Sequence, residues 1–242
     1  MKKKAVFAII LFSATISMGE LAGYWPFDEG TGQTVADSSG NGKNGALYAA
    51  DSTNYPQWTT GHSGTGNALI FNANTTGTSN RNHVVVDIGS TDALANLGNA
   101  FTISMWVRRD SYGDWEYWPR LIYTNAYEVQ LALDPDWTPG TDDTYDFISS
   151  TLSSAWLNFS LGAENDTQKT LESWYHLAVV CDGQFVAKYV NGVLVTSQGA
   201  PGSALPAATI DFYIGAKSNS SDYFIGALDD VAVWSGTYLA QT

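Results

Sequence analysis

One pattern runs almost the length of this chain. Short runs rich in Val, Ile, Phe, Tyr and Trp alternate with clusters of Gly, Asn, Asp, Ser and Pro. Runs of that length with β-branched and aromatic residues are strands, and the clusters between them are turns. Fourteen are expected, over 23–28, 45–48, 68–71, 83–88, 101–108, 120–123, 128–133, 145–149, 156–161, 174–181, 185–190, 193–197, 210–214 and 227–234. Helix signals are confined to 92–97 and 238–241. The expected fold is therefore all-β: two packed antiparallel sheets in a jelly-roll sandwich.

Two places fix local geometry. Phe101, Ile103, Met105 and Val107 alternate with Thr102, Ser104, Trp106 and Arg108, a period of two that marks one core face. Asn191-Gly192 lies between two strand-like runs, and Asn-Gly is the favoured pair for a tight hairpin because both positions need positive φ. No repeat or low-complexity linker divides the chain. A single cysteine, Cys181, excludes an internal disulfide and reads as a buried thiol within Ala178–Cys181.

The first residues read as a secretory leader. Lys2, Lys3 and Lys4 precede an apolar run from Ala5 to Phe12, and small residues lead to Gly19, after which cleavage is expected. The run is too short to cross a bilayer, which takes about 20 residues. The expected domain is thus 20–242, secreted or at the cell surface. Removing the three lysines takes the net charge from −13 to −16. A surface that acidic repels phosphate backbones and suits cations and neutral ligands.

Asp37, Ser39 and Asn41 offer oxygens at alternate positions, and Gly42 permits a sharp turn. That is how a calcium loop of the EF-hand type begins, but Tyr48 stands where its closing Glu belongs and a strand follows instead of a helix. A cation loop of another kind, or a Ser/Gly/Asn turn without an ion, remain the two readings.

Four segments in this order resemble the laminin-G-like, concanavalin A-like jelly-roll domains of bacterial surface and secreted proteins. They are Gly23-Tyr24-Trp25-Pro26-Phe27-Asp28-Glu29-Gly30, the loop Asp37–Gly45, the strand Trp174–Val180 before the Asn-Gly hairpin, and Ile225–Trp234 with its Leu228-Asp229-Asp230-Val231. The resemblance covers the whole expected domain. It implies a carbohydrate-binding or adhesive module with one structural Ca²⁺ where the first and last strands meet the loop. Carried over by position, the implied ligands are Asp28, Asp37, Asn41, the Lys43 carbonyl and Asp229. Glu29 is an alternative to Asp28. Neighbours on a strand point to opposite faces, so Asp229 is expected at the site and Asp230 in solvent. Such domains usually continue beyond the last strand, which leaves open a further C-terminal anchor or partner domain.

Glycans stack on flat aromatic faces with polar groups at their rim. Trp115 and Trp118, in Tyr112–Trp118, and Trp137, in Asp134–Gly140, are the candidate ligand-binding residues. Trp25, Trp106, Trp174 and Trp234 lie in strands and are expected in the core.

Catalysis has little to stand on. Gly61–Thr65 misses the nucleophile-elbow pattern at its last position, and His62, His83 and His176 have no partner at metal spacing. A glycoside hydrolase needs two carboxylates about 5–10 Å apart. No strand carries alternating acids, and Asp134, Asp136, Asp142 and Asp143 sit in loop-like stretches. The expected function is non-catalytic binding of a polysaccharide or glycan. The alternatives are a structural or protein-binding module of a larger surface protein, and a hydrolase whose acids converge from different strands.

Overall fold

A computed structural model describes residues 19–71, 81–110, 119–132, 144–149, 159–161, 171–218 and 222–236. Two eight-stranded antiparallel sheets stack face to face. The first contains β1 (Glu20–Trp25), β4 (Gln57–Thr60), β5 (Asn67–Phe71), β7 (Phe101–Arg109), β12 (Trp174–Cys181), β13 (Phe185–Val190), β14 (Val193–Gly199) and β16 (Gly226–Ser235). Its order is β14-β13-β12-β7-β16-β5-β4, with β1 also paired to β16. The second contains β2 (Thr34–Val35), β3 (Gly45–Ala49), β6 (Asn82–Val86), β8 (Arg120–Tyr123), β9 (Tyr127–Ala132), β10 (Thr144–Ser149), β11 (Phe159–Leu161) and β15 (Phe212–Ile214). Its order is β11-β10-β9-β8-β15-β6-β3-β2. The expected two-sheet jelly roll is the fold observed.

The alternation in the sequence decides what each strand buries. Phe101, Ile103, Met105 and Val107 of β7 are at most 1 % exposed and join Leu177 and Val179 of β12 and Val231 and Val233 of β16. From the second sheet come Val84, Val86, Ile122, Val129, Phe212 and Ile214. Trp25 bridges the layers, its ring stacked on Phe212 at 5.3 Å. Burying an aromatic ring of this size removes some 150–250 Å² from water, the dominant favourable contribution to folding.

The hairpin turns at Asn191 and Gly192, with φ of 49° and 75°. Cys181 is fully buried, and burial raises its thiol pKa. Residues 92–97 give one short 3₁₀ turn, Ala93–Ala95. The expectation for residues 238–241, like the leader up to residue 18, lies outside the described residues.

Three core assignments need correcting. Trp25 is buried, but Trp106, Trp174 and Trp234 are half-buried. They occupy the alternate register of β7, β12 and β16, which faces away from the second sheet.

One edge of β16 is shared. Gly226–Leu228 pair with β5, and Val231–Ser235 pair with β1. Asp229 and Asp230 span the gap between those two partners.

Candidate functional site

The gap is where the chain gathers its polar side chains. Against β7, Asp229 pairs with Trp106 and Ala232 with Ser104, so Asp230 and Val231 together oppose Met105. Two residues facing one is a β-bulge. Asp230 takes a φ of 50°, while Val231 returns to the core. The bulge overturns the expectation that only one of the two acids reaches the site. Both carboxylates approach His62, with Nδ1 at 2.8 Å from Asp229 Oδ2 and 3.7 Å from Asp230 Oδ2.

His62 arrives on the turn between β4 and β5. Its ring lies flat on Trp106, centroids 4.2 Å apart and planes 11° from parallel, with Trp174 edge-on at 6.4 Å. Its backbone N–H donates to Asp229 Oδ2 at 2.9 Å. The Tyr24 hydroxyl donates to Asp230 Oδ1 at 2.6 Å. Burial, reinforced by Asp230, raises the Tyr24 pKa. Burial also raises that of Asp229, against the opposing pull of its His62 hydrogen bonds. Asp28, Ser63, Thr65, Gly66 and Asn67 complete a cleft of about 190 Å³. Asp28 Oδ1 accepts from the Asn67 N–H, and its carbonyl accepts from the Asn67 amide. Glu29 is turned elsewhere, to the Ala36 N–H. Nearby, His176 Nε2 and Ser104 Oγ are 3.0 Å apart, and burial lowers the His176 pKa.

The structure brings Asp28 and Asp229 of the implied calcium set into this one cleft and uses the other three differently. Asp37 accepts four hydrogen bonds, from the N–H groups of Tyr24, Ser39 and Lys43 and from the Ser39 hydroxyl. Burial pulls its pKa up, but those bonds pull harder and leave it lowered. Asn41 donates its amide to the carbonyls of Leu21 and Ala22, and the Lys43 carbonyl accepts from the Trp25 indole. The Ser38 N–H meets the Tyr24 carbonyl. The loop therefore satisfies the edge of β1 that β16 does not pair. A calcium ion wants six to eight oxygens. Asp37 and the Lys43 carbonyl are engaged by N–H groups and Asn41 by the carbonyls of β1, so in this arrangement the three fasten β1 and are not gathered with Asp28 and Asp229.

A second polar cluster lies on the outer side of the second sheet, where His83, Tyr213, Tyr223, Arg120 and Glu128 are buried and Tyr48 and Tyr123 are half-buried. Tyr48 and His83 are cross-strand partners with ring centroids 4.6 Å apart. Tyr213 and Tyr223 pack on His83 at 5.7 and 6.1 Å, and Tyr123 stands 6.4 Å from Tyr213. Arg81 lies over Tyr223, and Lys217 over Tyr123. Arg120 joins Glu128 at 2.9 Å and Asp222 at 3.3 Å. Sequence reading missed this band, because its members come from five separate stretches. Trp115, Trp118 and Trp137 lie outside the described residues.

Residues 86–242 match the model of the concanavalin A-like lectin/glucanases superfamily. The chain belongs to that superfamily. No curated protein matches it. Among solved structures, it is similar to domain 4 of AbnA, a GH43 extracellular arabinanase from Geobacillus stearothermophilus, in complex with arabinotriose. Identity is 18 %, the TM-score is 0.62, and 91 % of this chain and 95 % of that one are covered. The binding domain of Paraclostridial Mosquitocidal Protein 1 aligns at 15 % identity and a TM-score of 0.65, over 91 % of this chain and 49 % of that one. The botulinum neurotoxin serotype D ligand binding domain, in complex with N-acetylneuraminic acid, aligns at 12 % and 0.62, over 91 % and 48 %. The chain thus spans about half the length of the toxin domains. These likenesses show the shared concanavalin A-like fold.

Proposed function

We propose that the chain is a secreted, non-catalytic module that binds a polysaccharide or glycan through the outer face of its second sheet. The observation that carries this is the band from Tyr48 to Tyr123 with ion-paired side chains beside it. Tyr48 and Tyr123 are half-buried and can offer ring faces to sugar C–H groups, while His83, Tyr213, Tyr223, Arg120 and Glu128 are buried and hold those rings in place. Its members sit on five different strands and loops, so the sandwich itself preorganises them. Two of the similar structures are described with a saccharide bound, which accords with a carbohydrate partner. Among the described residues, no helix is long and apolar enough to cross a membrane.

A hydrolase would need one carboxyl free to protonate a leaving group. On this face Glu128 and Asp222 are both held by Arg120, at 2.9 and 3.3 Å, so neither carboxyl stands free. Binding is therefore the better use of the surface. A second reading, docking onto another protein, is favoured by the edge hairpin of the first sheet. There Phe185, Val193 and Leu194 are 54 %, 66 % and 52 % exposed. A glycan array separates the two. A retained saccharide whose signal falls in Tyr123→Ala supports the first. Silence across the array, with a surface protein captured through Val193 and Leu194, supports the second.

A further inference from the structure

We propose that the outer face of the first sheet, over β12, β13 and β14, is an interface with a second copy of this chain. An antiparallel sheet that faces water on one side alternates apolar and polar residues. These three strands do not. Ala178-Val179-Val180, Phe185-Val186-Ala187 and Val193-Leu194-Val195 are unbroken apolar runs, the pattern of strands covered on both faces. The register shows what lies outward. Leu177, Val179, Cys181 and Val186 point into the core. Leu194, Tyr189 and Ala178 therefore form one outward row, and Ala187, Val180 and Trp234 belong to the next. Among the described residues, the exposed large hydrophobic side chains are Phe185, Val193 and Leu194, and all three belong to this hairpin.

Charge selects the partner. The chain carries 24 acidic and 11 basic residues, so two copies repel over most of their surfaces. The two outward rows hold no charged side chain. Like-charged copies can meet there, whereas a basic partner would be drawn to the acidic remainder. A two-fold axis sets the face against itself, and such a contact closes at two copies. The area suits a weak dimer. Five strands from β14 to β16, about 4.8 Å apart and roughly 20 Å long, give roughly 500 Å² per copy and about 1,000 Å² in all, the low end of specific interfaces. The tyrosine band lies on the outer side of the other sheet, so two copies joined here present both bands outward. A dimer would then grip one polysaccharide at two points, although pairing itself needs no saccharide.

The test is sedimentation velocity of the full chain from about 1 to about 200 µM, with no saccharide present. The expected result is a shift from the mass of one chain to that of two, with a Kd on the order of 10–100 µM. Added salt should tighten the pairing, because it screens the repulsion between acidic copies. Leu194→Glu and Phe185→Glu should each weaken it at least ~10-fold by burying an unpaired charge. Both side chains stand more than half exposed, so neither change touches the core, and near-UV circular dichroism checks the fold. A parent that remains one chain at the highest concentration would overturn the proposal. So would folded variants that pair as well as the parent, or association that runs past two copies. A parent that stays single while another protein is retained through Leu194 would give the face to that partner and overturn it too. Silence on a glycan array would leave the dimer untouched, and loss of the dimer would leave glycan binding by a single copy in place.

Discussion

Asp229 and His62, 167 residues apart, meet through a single oxygen: Asp229 Oδ2 accepts the His62 backbone N–H at 2.9 Å and lies 2.8 Å from its Nδ1. That junction ties the β4–β5 turn to the last strand, across the gap between β5 and β1. Asp229→Ala removes both contacts and strips the turn of its anchor. The expected cost is about 2–4 kcal/mol, read as a lower urea midpoint at unchanged slope.

The same turn depends on one glycine. Gly66 has φ of 69°, and a Cβ there would stand 2.6 Å from Asp28 Oδ1. Gly66→Ala should cost roughly 1–2 kcal/mol, from the left-handed backbone and the displaced carboxylate together. An alanine variant that melts with the parent would mean the turn is not packed as described.

Asp37 should behave as a fastening for β1 and not as a cation ligand. Its pKa is lowered, so the stability it supplies is fully present above the unfolded value of about 3.9 and is lost as pH falls through the folded value. Asp37→Asn should therefore be less stable than the parent at pH 7, and the two should converge in acid. Calcium should leave the parent's transition in place. A gain approaching 2.7 kcal/mol, as ~100 times Kd would produce, would return the ion to the loop.

Arg120 and Glu128 are both about 5 % exposed. Removing Glu128 leaves the buried Arg120 with Asp222 as its carboxylate partner at 3.3 Å, so Glu128→Leu alone should cost less than the roughly 3–5 kcal/mol of a fully broken buried pair, about 2–3 kcal/mol. Arg120→Met with Glu128→Leu should recover much of that loss, although Asp222 then lacks its guanidinium. Chemical denaturation of the two singles and the double gives the coupling directly.

Much of this was legible in the sequence because it depends on local pattern. Period two placed Phe101 to Val107 inward, and Asn191-Gly192 announced its turn. What escaped reading has physical reasons. The strands Thr34–Val35 and Gln57–Thr60 are too short or too polar to stand out from turns. Alternation assumes an unbroken strand, so the bulge that turns Asp229 and Asp230 to one histidine was invisible. The loop around Asp37 carries the residues of a cation site, but Asp37 meets backbone N–H groups and Asn41 backbone carbonyls, which composition does not show. Trp106 and Trp174 are strand residues facing outward, where rings and Arg108 cover them. The tyrosine band exists only once five distant segments are folded together.

The most direct test of the central claim is calorimetric titration of the parent, Tyr123→Ala and Tyr48→Ala with the saccharide that an array selects. The account predicts measurable binding by the parent and a loss of about tenfold, some 1.4 kcal/mol, in each variant, with near-UV circular dichroism unchanged. A saccharide bound equally well by all three proteins would contradict it, as would an array on which the parent binds nothing.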